Sequence, residues 1–242
     1  MSTLSAARLL DVWEQGAGAP PYARALLLLA AAWPSIAQAE LAGWSLGRRD
    51  AALLDLRELL FGGAIESLAV CPQCGAQSEL SFRTSDIRAP FASGDLRQLQ
   101  ERIDGHAYRV WLRPITTAAL IAVVGDSRRE ALLLQCIAEA QRDDAPLPPA
   151  DLPAEVLTRC GTALAEADPQ ADIQLALTCI ECAEQWSAPF DPTGFLWREI
   201  EIWAERMLRE VHLLASAYGW SETDILALSA ARRRRYLEMV TA

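Results

Sequence analysis

The sequence predicts an α+β protein that is mainly α-helical: a helical bundle carrying a β element split into two halves. Three observations predict it. Ala and Leu lead a composition that is 52% hydrophobic, which supports a packed core and is rich in strong helix formers. Long stretches repeat apolar residues at steps of three and four, the helical period. Two short stretches break that rhythm, and each carries a cysteine pair: Cys71 with Cys74, and Cys179 with Cys182.

Residues 1–63 read as an N-terminal helical region. "TLSAARLLDVWEQG" is a helix stopped at Gly16, and Pro20-Pro21 opens "YARALLLLAAAW", which Pro34 closes. "LGRRDAALLDLRELLF" follows, with Leu53, Leu56, Leu60 and Phe61 on one face and Gly62-Gly63 as the stop. In residues 64–90, "IESLAV" and "QSELSFRTSD" are two short strands flanking the CPQC turn.

Residues 91–170 form an inserted region of mixed, largely helical character. Tyr108, Val110 and Leu112 alternate with Arg109, Trp111 and Arg113, which makes "AYRVWLRP" a strand. The stretch 115–142 reads as helix, "DDAPLPPADLPA" as a Pro-rich connector, and "EVLTRCGTALAEAD" as a short helix. Residues 171–192 bring "DIQLALT" and the second cysteine pair. Residues 193–242 are a C-terminal helical region whose apolar seam runs through Leu196, Ile200, Trp203, Met207, Val211, Leu214 and Tyr218. Ser221 and Asp224 make a capping box for "ETDILAL", and Ser229 caps "AARRRRYLEMV".

The two cysteine pairs answer each other. Laying Cys71 on Cys179 also superposes Gln77 on Gln185 and Phe82 on Phe190, and each pair follows an apolar run. Two matched C-x-x-C turns in a reduced chain point to four thiolates, Cys71, Cys74, Cys179 and Cys182, around one structural zinc in a split zinc-ribbon-like element. Residues 75–178 separate the pairs, against the roughly 15–20 residues common in such sites, so the ribbon must carry an insertion. Two separate reduced pairs remain the competing reading. A redox pair belongs where a strand gives way to a helix, whereas strands follow here. Cys136 and Cys160 lie on helical apolar faces and read as small core side chains.

The formal charge of −10 works against phosphate backbones and anionic lipid. All 22 basic residues are arginine, and Arg232–Arg235 are the one basic run, on a terminal helix. "MSTLSAARLLDVWEQ" lacks the pattern of an export signal, and the apolar run Ala25–Trp33 is far short of the roughly 20 residues that cross a bilayer, so the expected compartment is the cytoplasm. His106, in "DGHAY", and His212, in a helix, join no catalytic set, and no phosphate-binding or nucleophile motif is present. The expectation is a non-enzymatic protein with no catalytic or organic-cofactor site.

"LALTCIECAEQWSAPFD" leading to "FLWRE", then "LLREVHLLASAYGW", "ILALS" and "RRRRYLE", resembles the T-even-type phage baseplate hub assembly chaperone family, found with phage-tail-like contractile injection systems. "LGRRDAALLDLRELLFG" followed by the first cysteine pair is similar as well. The second pair departs from the family's CPxCG form, with Ile180 in place of proline and Ala183 in place of glycine.

The resemblance implies an assembly chaperone or structural component of a contractile-tail baseplate. Such a protein acts by binding baseplate or hub subunits, without a membrane, and either leaves or stays in the particle. The alternative is a zinc-ribbon nucleic-acid-binding regulator using the arginine-rich helix. The long C-terminal helix is apolar on more than one side and must bury the excess against its own core, a second copy or another protein. Phe195 and Trp197 at its start, with Tyr218 and Trp220 at its end, are the candidates for partner contact.

Overall fold

The computed structural model describes residues 4–125 and 129–241. The chain forms two compact units, Met1–Ser35 with Thr193–Ala242 and Ile36–Pro192, so its two ends share one unit and its middle makes the other.

The first unit opens with α1 (Ala6–Gln15), whose N-terminus is capped by Ser5 Oγ accepting the Arg8 N–H at 3.2 Å. Next comes α2 (Pro21–Ala32), with proline at its first position, where a missing N–H does no harm. Its Ala25, Leu28, Leu29 and Ala32 are fully buried, as its near-unbroken apolar run requires.

The second unit begins with α3 (Gln38–Ala42) and α4 (Leu46–Phe61), the latter capped by Ser45 Oγ on the Arg48 N–H at 3.1 Å. Leu53, Leu54 and Leu56 form its buried face, while Leu60 and Phe61 are half-buried. Asp168 reaches the start of this helix from far along the chain. Its carboxylate accepts the Gly47 N–H at 3.0 Å and the Ala92 N–H at 2.8 Å, and a Cβ at position 47 would run into it. The strands β1 (Ala64–Val70) and β2 (Gln77–Arg83) form an antiparallel hairpin.

A four-stranded antiparallel sheet follows in the order β3 (Arg97–Ile103), β4 (His106–Leu112), β5 (Ile137–Arg142), β6 (Ala145–Pro146). Asp104-Gly105 and Asp143-Asp144 take positive φ at both central positions, the turn whose twist suits a two-residue hairpin. Between β4 and β5 lie α5 (Thr117–Ala122) and α6 (Arg129–Cys136).

The expectation of helix over 115–142 is corrected here. Its last stretch is strand β5, and residues 126–128 lie outside the described residues. "IAEAQR" favours helix locally, but pairing of Val110 with Ala140 and Tyr108 with Arg142 buries Ala140 against the core, and tertiary pairing prevails. The core of this sheet joins Tyr108, Val110 and Leu112 to Val156, Cys160 and Leu164 of α7 (Ala154–Ala167). The alternation read in the sequence is thus the buried face of β4. The second unit closes with the hairpin of β7 (Gln174–Thr178) and β8 (Gln185–Pro189).

Helix α8 (Pro192–Tyr218) then leads into the first unit, followed by α9 (Glu222–Ala227) and α10 (Ala230–Thr241). Leu196, Ile200, Met207 and Leu214 of the expected seam are buried, and Met207 packs with Leu10, Trp13 and Trp203. Ser221 Oγ accepts the Asp224 N–H at 3.2 Å, and Ser229 Oγ the Arg232 N–H at 3.3 Å, so both expected caps are in place. Among the described residues no helix is long and apolar enough to cross a membrane. The architecture is α+β and mainly helical, with its four paired cysteines drawn to one place.

Candidate metal centre

The cysteine turns sit at the tips of the two hairpins, and their backbones match bond for bond. In the first, the Cys71 N–H donates to the Ala76 carbonyl at 2.9 Å and the Gly75 N–H to the Cys71 carbonyl at 3.0 Å. In the second, the Cys179 N–H donates to the Glu184 carbonyl at 2.8 Å and the Ala183 N–H to the Cys179 carbonyl at 3.0 Å. The left-handed residue also recurs: Gly75 has φ +74° and Ala183 has φ +60°. Glycine adopts that conformation freely, while alanine carries a Cβ against it. Replacing the motif glycine with alanine therefore strains the second turn without changing its shape.

The turns meet so that the first cysteine of one pair faces the second of the other. Cys71 Sγ lies 3.7 Å from Cys182 Sγ, and Cys74 Sγ 3.6 Å from Cys179 Sγ. All four sulfurs fall within 4.8 Å of one another. None is bonded to another, since a disulfide needs about 2.05 Å. Exposure repeats the symmetry: Cys71 and Cys179 are 1% and 2% exposed, while Cys74 and Cys182 face solvent.

Four sulfurs this close cannot all ionise without a cation among them. The backbone N–H groups of Cys182 and Glu181 bring the Cys179 thiol down to about 7. Cys182 moves the other way. Against the Glu184 backbone contact, which favours its thiolate, desolvation and the sulfurs of Cys74, Cys179 and Cys71 push it up to about 12. Such a cluster can hold one metal ion, and four protein sulfurs leave a tetrahedral ion no open position for a substrate.

The other cysteines and the histidines stand apart. Cys136 and Cys160 are buried among apolar side chains, and burial pushes both thiols up to about 11, which makes them poor nucleophiles. His106 opens strand β4, with its ring Nδ1 2.5 Å from Asp143 Oδ2, and His212 is an exposed residue of α8.

The four aromatic residues named for partner contact divide. Trp197 is corrected to a core position. It is 2% exposed, the Arg24 guanidinium lies 4.6 Å from its ring centre, and Gly16 leaves room for the ring where a Cβ would strike it. Its indole N–H donates to Glu201 at 2.8 Å. Phe195, two residues earlier, is half-buried. Tyr218 and Trp220 stack with ring centres 4.7 Å apart, and Tyr236, not singled out in the sequence, meets both edge-on at 5.7 and 4.8 Å. Its one sequence signal was its place in "RRRRYLE", a helical turn beyond Arg232. The arginine run is also less uniform than it reads. Arg233 is 6% exposed and donates to Glu210 at 2.7 Å and to the Leu228 carbonyl at 3.3 Å, while Arg232, Arg234 and Arg235 are exposed.

No protein-family model, curated protein or solved structure matches the chain.

Proposed function

We propose that this chain is a non-enzymatic assembly or structural protein of a contractile, phage-tail-like baseplate, and that a zinc ion fastens its two hairpins into one binding scaffold. The observation that carries the metal is the convergence of Cys71, Cys74, Cys179 and Cys182 from hairpins far apart in the chain. Four zinc–sulfur bonds of about 2.3 Å in a tetrahedron set sulfurs about 3.8 Å apart, close to the facing distances of 3.7 and 3.6 Å. All-sulfur tetrahedral ligation suits zinc over the oxygen-seeking divalent ions. A closed site of this kind supports a structural role.

The machine itself rests on the resemblance of "LALTCIECAEQWSAPFD", "FLWRE" and "LLREVHLLASAYGW" to the baseplate hub assembly chaperones. The nucleic-acid-binding alternative has less to draw on than the sequence promised, because Arg233 is already held by Glu210. Deleting the gene and counting sheathed particles by electron microscopy tests the proposal. Particle assembly is expected to stop before a complete baseplate, and normal particles without the gene would overturn the reading.

A further inference from the structure

Two strand edges of the unit Ile36–Pro192 open onto one groove with no strand between them. In the β1–β2 hairpin the Cys71 N–H bonds the Ala76 carbonyl and the Thr84 N–H bonds the Gly63 carbonyl, each at 2.9 Å. Antiparallel partners exchange bonds at every second pair, so Leu80 and Phe82 turn their backbone groups to β1 while Glu79 and Ser81 turn theirs outward. In the β7–β8 hairpin the Cys179–Glu184 and Phe190–Ile173 bonds set the same phase. Gln174 and Ala176 are then the outward residues. Among the described residues β2 pairs with β1 alone and β7 with β8 alone.

These edges form the walls of a groove of about 630 Å³, lined by residues 79–82 on one side and 172–177 on the other. Its apolar surface includes Ile87 and Ile173, the half-buried Leu80 and Phe82, and Leu175. Its charge is acidic. Glu79, Asp86 and Asp172 line it, and Arg88, the one cation lining it among the described residues, is held by Asp55 at 2.7 Å and Glu58 at 2.9 Å.

We propose that this groove takes an extended segment of a partner protein by strand addition, with apolar side chains turned inward and basic ones at the rim. A row of outward amide and carbonyl groups recognises an extended backbone, and alternate side chains then meet apolar wall and acidic rim. The walls are four to six residues long, about 13–20 Å at roughly 3.3 Å per residue, which sets the length of the segment. A second copy of this chain is the weaker occupant, because it would bring the same acidic groove on a chain of net charge −10. The proposal rests on the reading of the chain as a binding protein and adds the chemistry of its partner.

The test uses the full zinc-loaded chain and a capped seven-residue peptide alternating valine and arginine, followed by amide hydrogen exchange. At millimolar peptide, exchange at Glu79 and Ser81, or at Gln174 and Ala176, is expected to slow at least tenfold. Methylating alternate peptide nitrogens is expected to abolish that protection. Replacing the peptide's arginines with glutamate, or Glu79→Arg in the protein, is expected to weaken binding at least threefold with zinc content unchanged. Unchanged exchange at both edges, or equal binding of the methylated peptide, would overturn the proposal. Normal particle assembly without the gene would remove the baseplate reading yet leave a positive exchange result standing.

Discussion

Phe82 and Phe190 meet edge to face, with ring centres 5.8 Å apart and planes at 82°. They are also equivalent residues, since each lies eleven positions after the first cysteine of its own hairpin. Equivalent residues touch when two copies of a motif are related by a local two-fold axis. The cysteines obey the same relation, with Cys71 opposite Cys182 and Cys74 opposite Cys179. The split ribbon is therefore two like hairpins facing each other, with their cysteines converging at one end and an aromatic pair bracing them.

Metal content is the first prediction. Protein purified under reducing conditions is expected to carry one zinc per chain, and Cys179→Ser to carry less than a tenth of that. The loss should destabilise the hairpins, because structural zinc binds only the folded arrangement. Zinc must also displace thiol protons. With Cys179 near 7 and Cys182 near 12 in the metal-free cluster, affinity should fall steeply as pH drops below 7. Competition with a chromogenic chelator from pH 6 to 8 measures both, and a flat profile would contradict the four-thiolate site.

The strain at Ala183 gives the second. Ala183→Gly is expected to stabilise the chain by about 1 kcal/mol, because glycine removes a left-handed penalty of roughly 1–2 kcal/mol and gives part back as unfolded-state entropy. Gly75→Ala should destabilise by a similar amount. Equilibrium denaturation of the two variants should move in opposite directions; movement in the same direction would mean the turns are not equivalent.

Trp197 gives the third. Trp197→Ala should lose about 3–5 kcal/mol, the usual consequence of emptying a buried aromatic site, and Gly16→Ala should also destabilise by forcing the ring aside. A stability unchanged within 1 kcal/mol would return Trp197 to the surface.

The fourth concerns acid. Burial lifts the Asp50 carboxyl to about 6, although Arg49 at 2.7 Å pulls it down, and Asp191 and Asp168 add to the rise. A folded pKa above the unfolded one means that the folded state holds a proton the unfolded chain releases. That stabilisation is complete below about pH 4 and disappears as pH rises through 6. Relative to Asp50→Asn, the wild type should lose up to about 3 kcal/mol between pH 4 and 7, from roughly two units at 1.36 kcal/mol each. Denaturation of both proteins across that range gives the difference, and a constant offset would rule out the titration.

Much of this was legible in the sequence because its signals are local. Caps at Ser221 and Ser229, the glycine stops, the alternation in β4 and the matched cysteine spacing each depend on neighbours within a few residues. The misses are long-range. "IAEAQR" becomes strand only because β4 lies beside it, Asp168 caps a helix that starts at Leu46, and Trp197 is buried because Gly16 and Arg24 fold against it. Arg233 of α10 looked like its three neighbours in sequence, but it is held by Glu210 of α8, 23 positions away along the chain.

The sulfur centre also imposes an order of events on synthesis. Cys71 and Cys74 are made before the roughly one hundred residues that lead to Cys179, so at about 5–20 residues per second they wait on the order of 5–20 s for their partners. That interval covers the synthesis of the β3–β6 sheet and α7, which share a core of their own. A metal ion held by all four sulfurs can close the site only after Cys182 is made, and so only after everything threaded between the two turns. Until then Cys71 and Cys74 supply only two of the four sulfurs that a closed tetrahedral site needs.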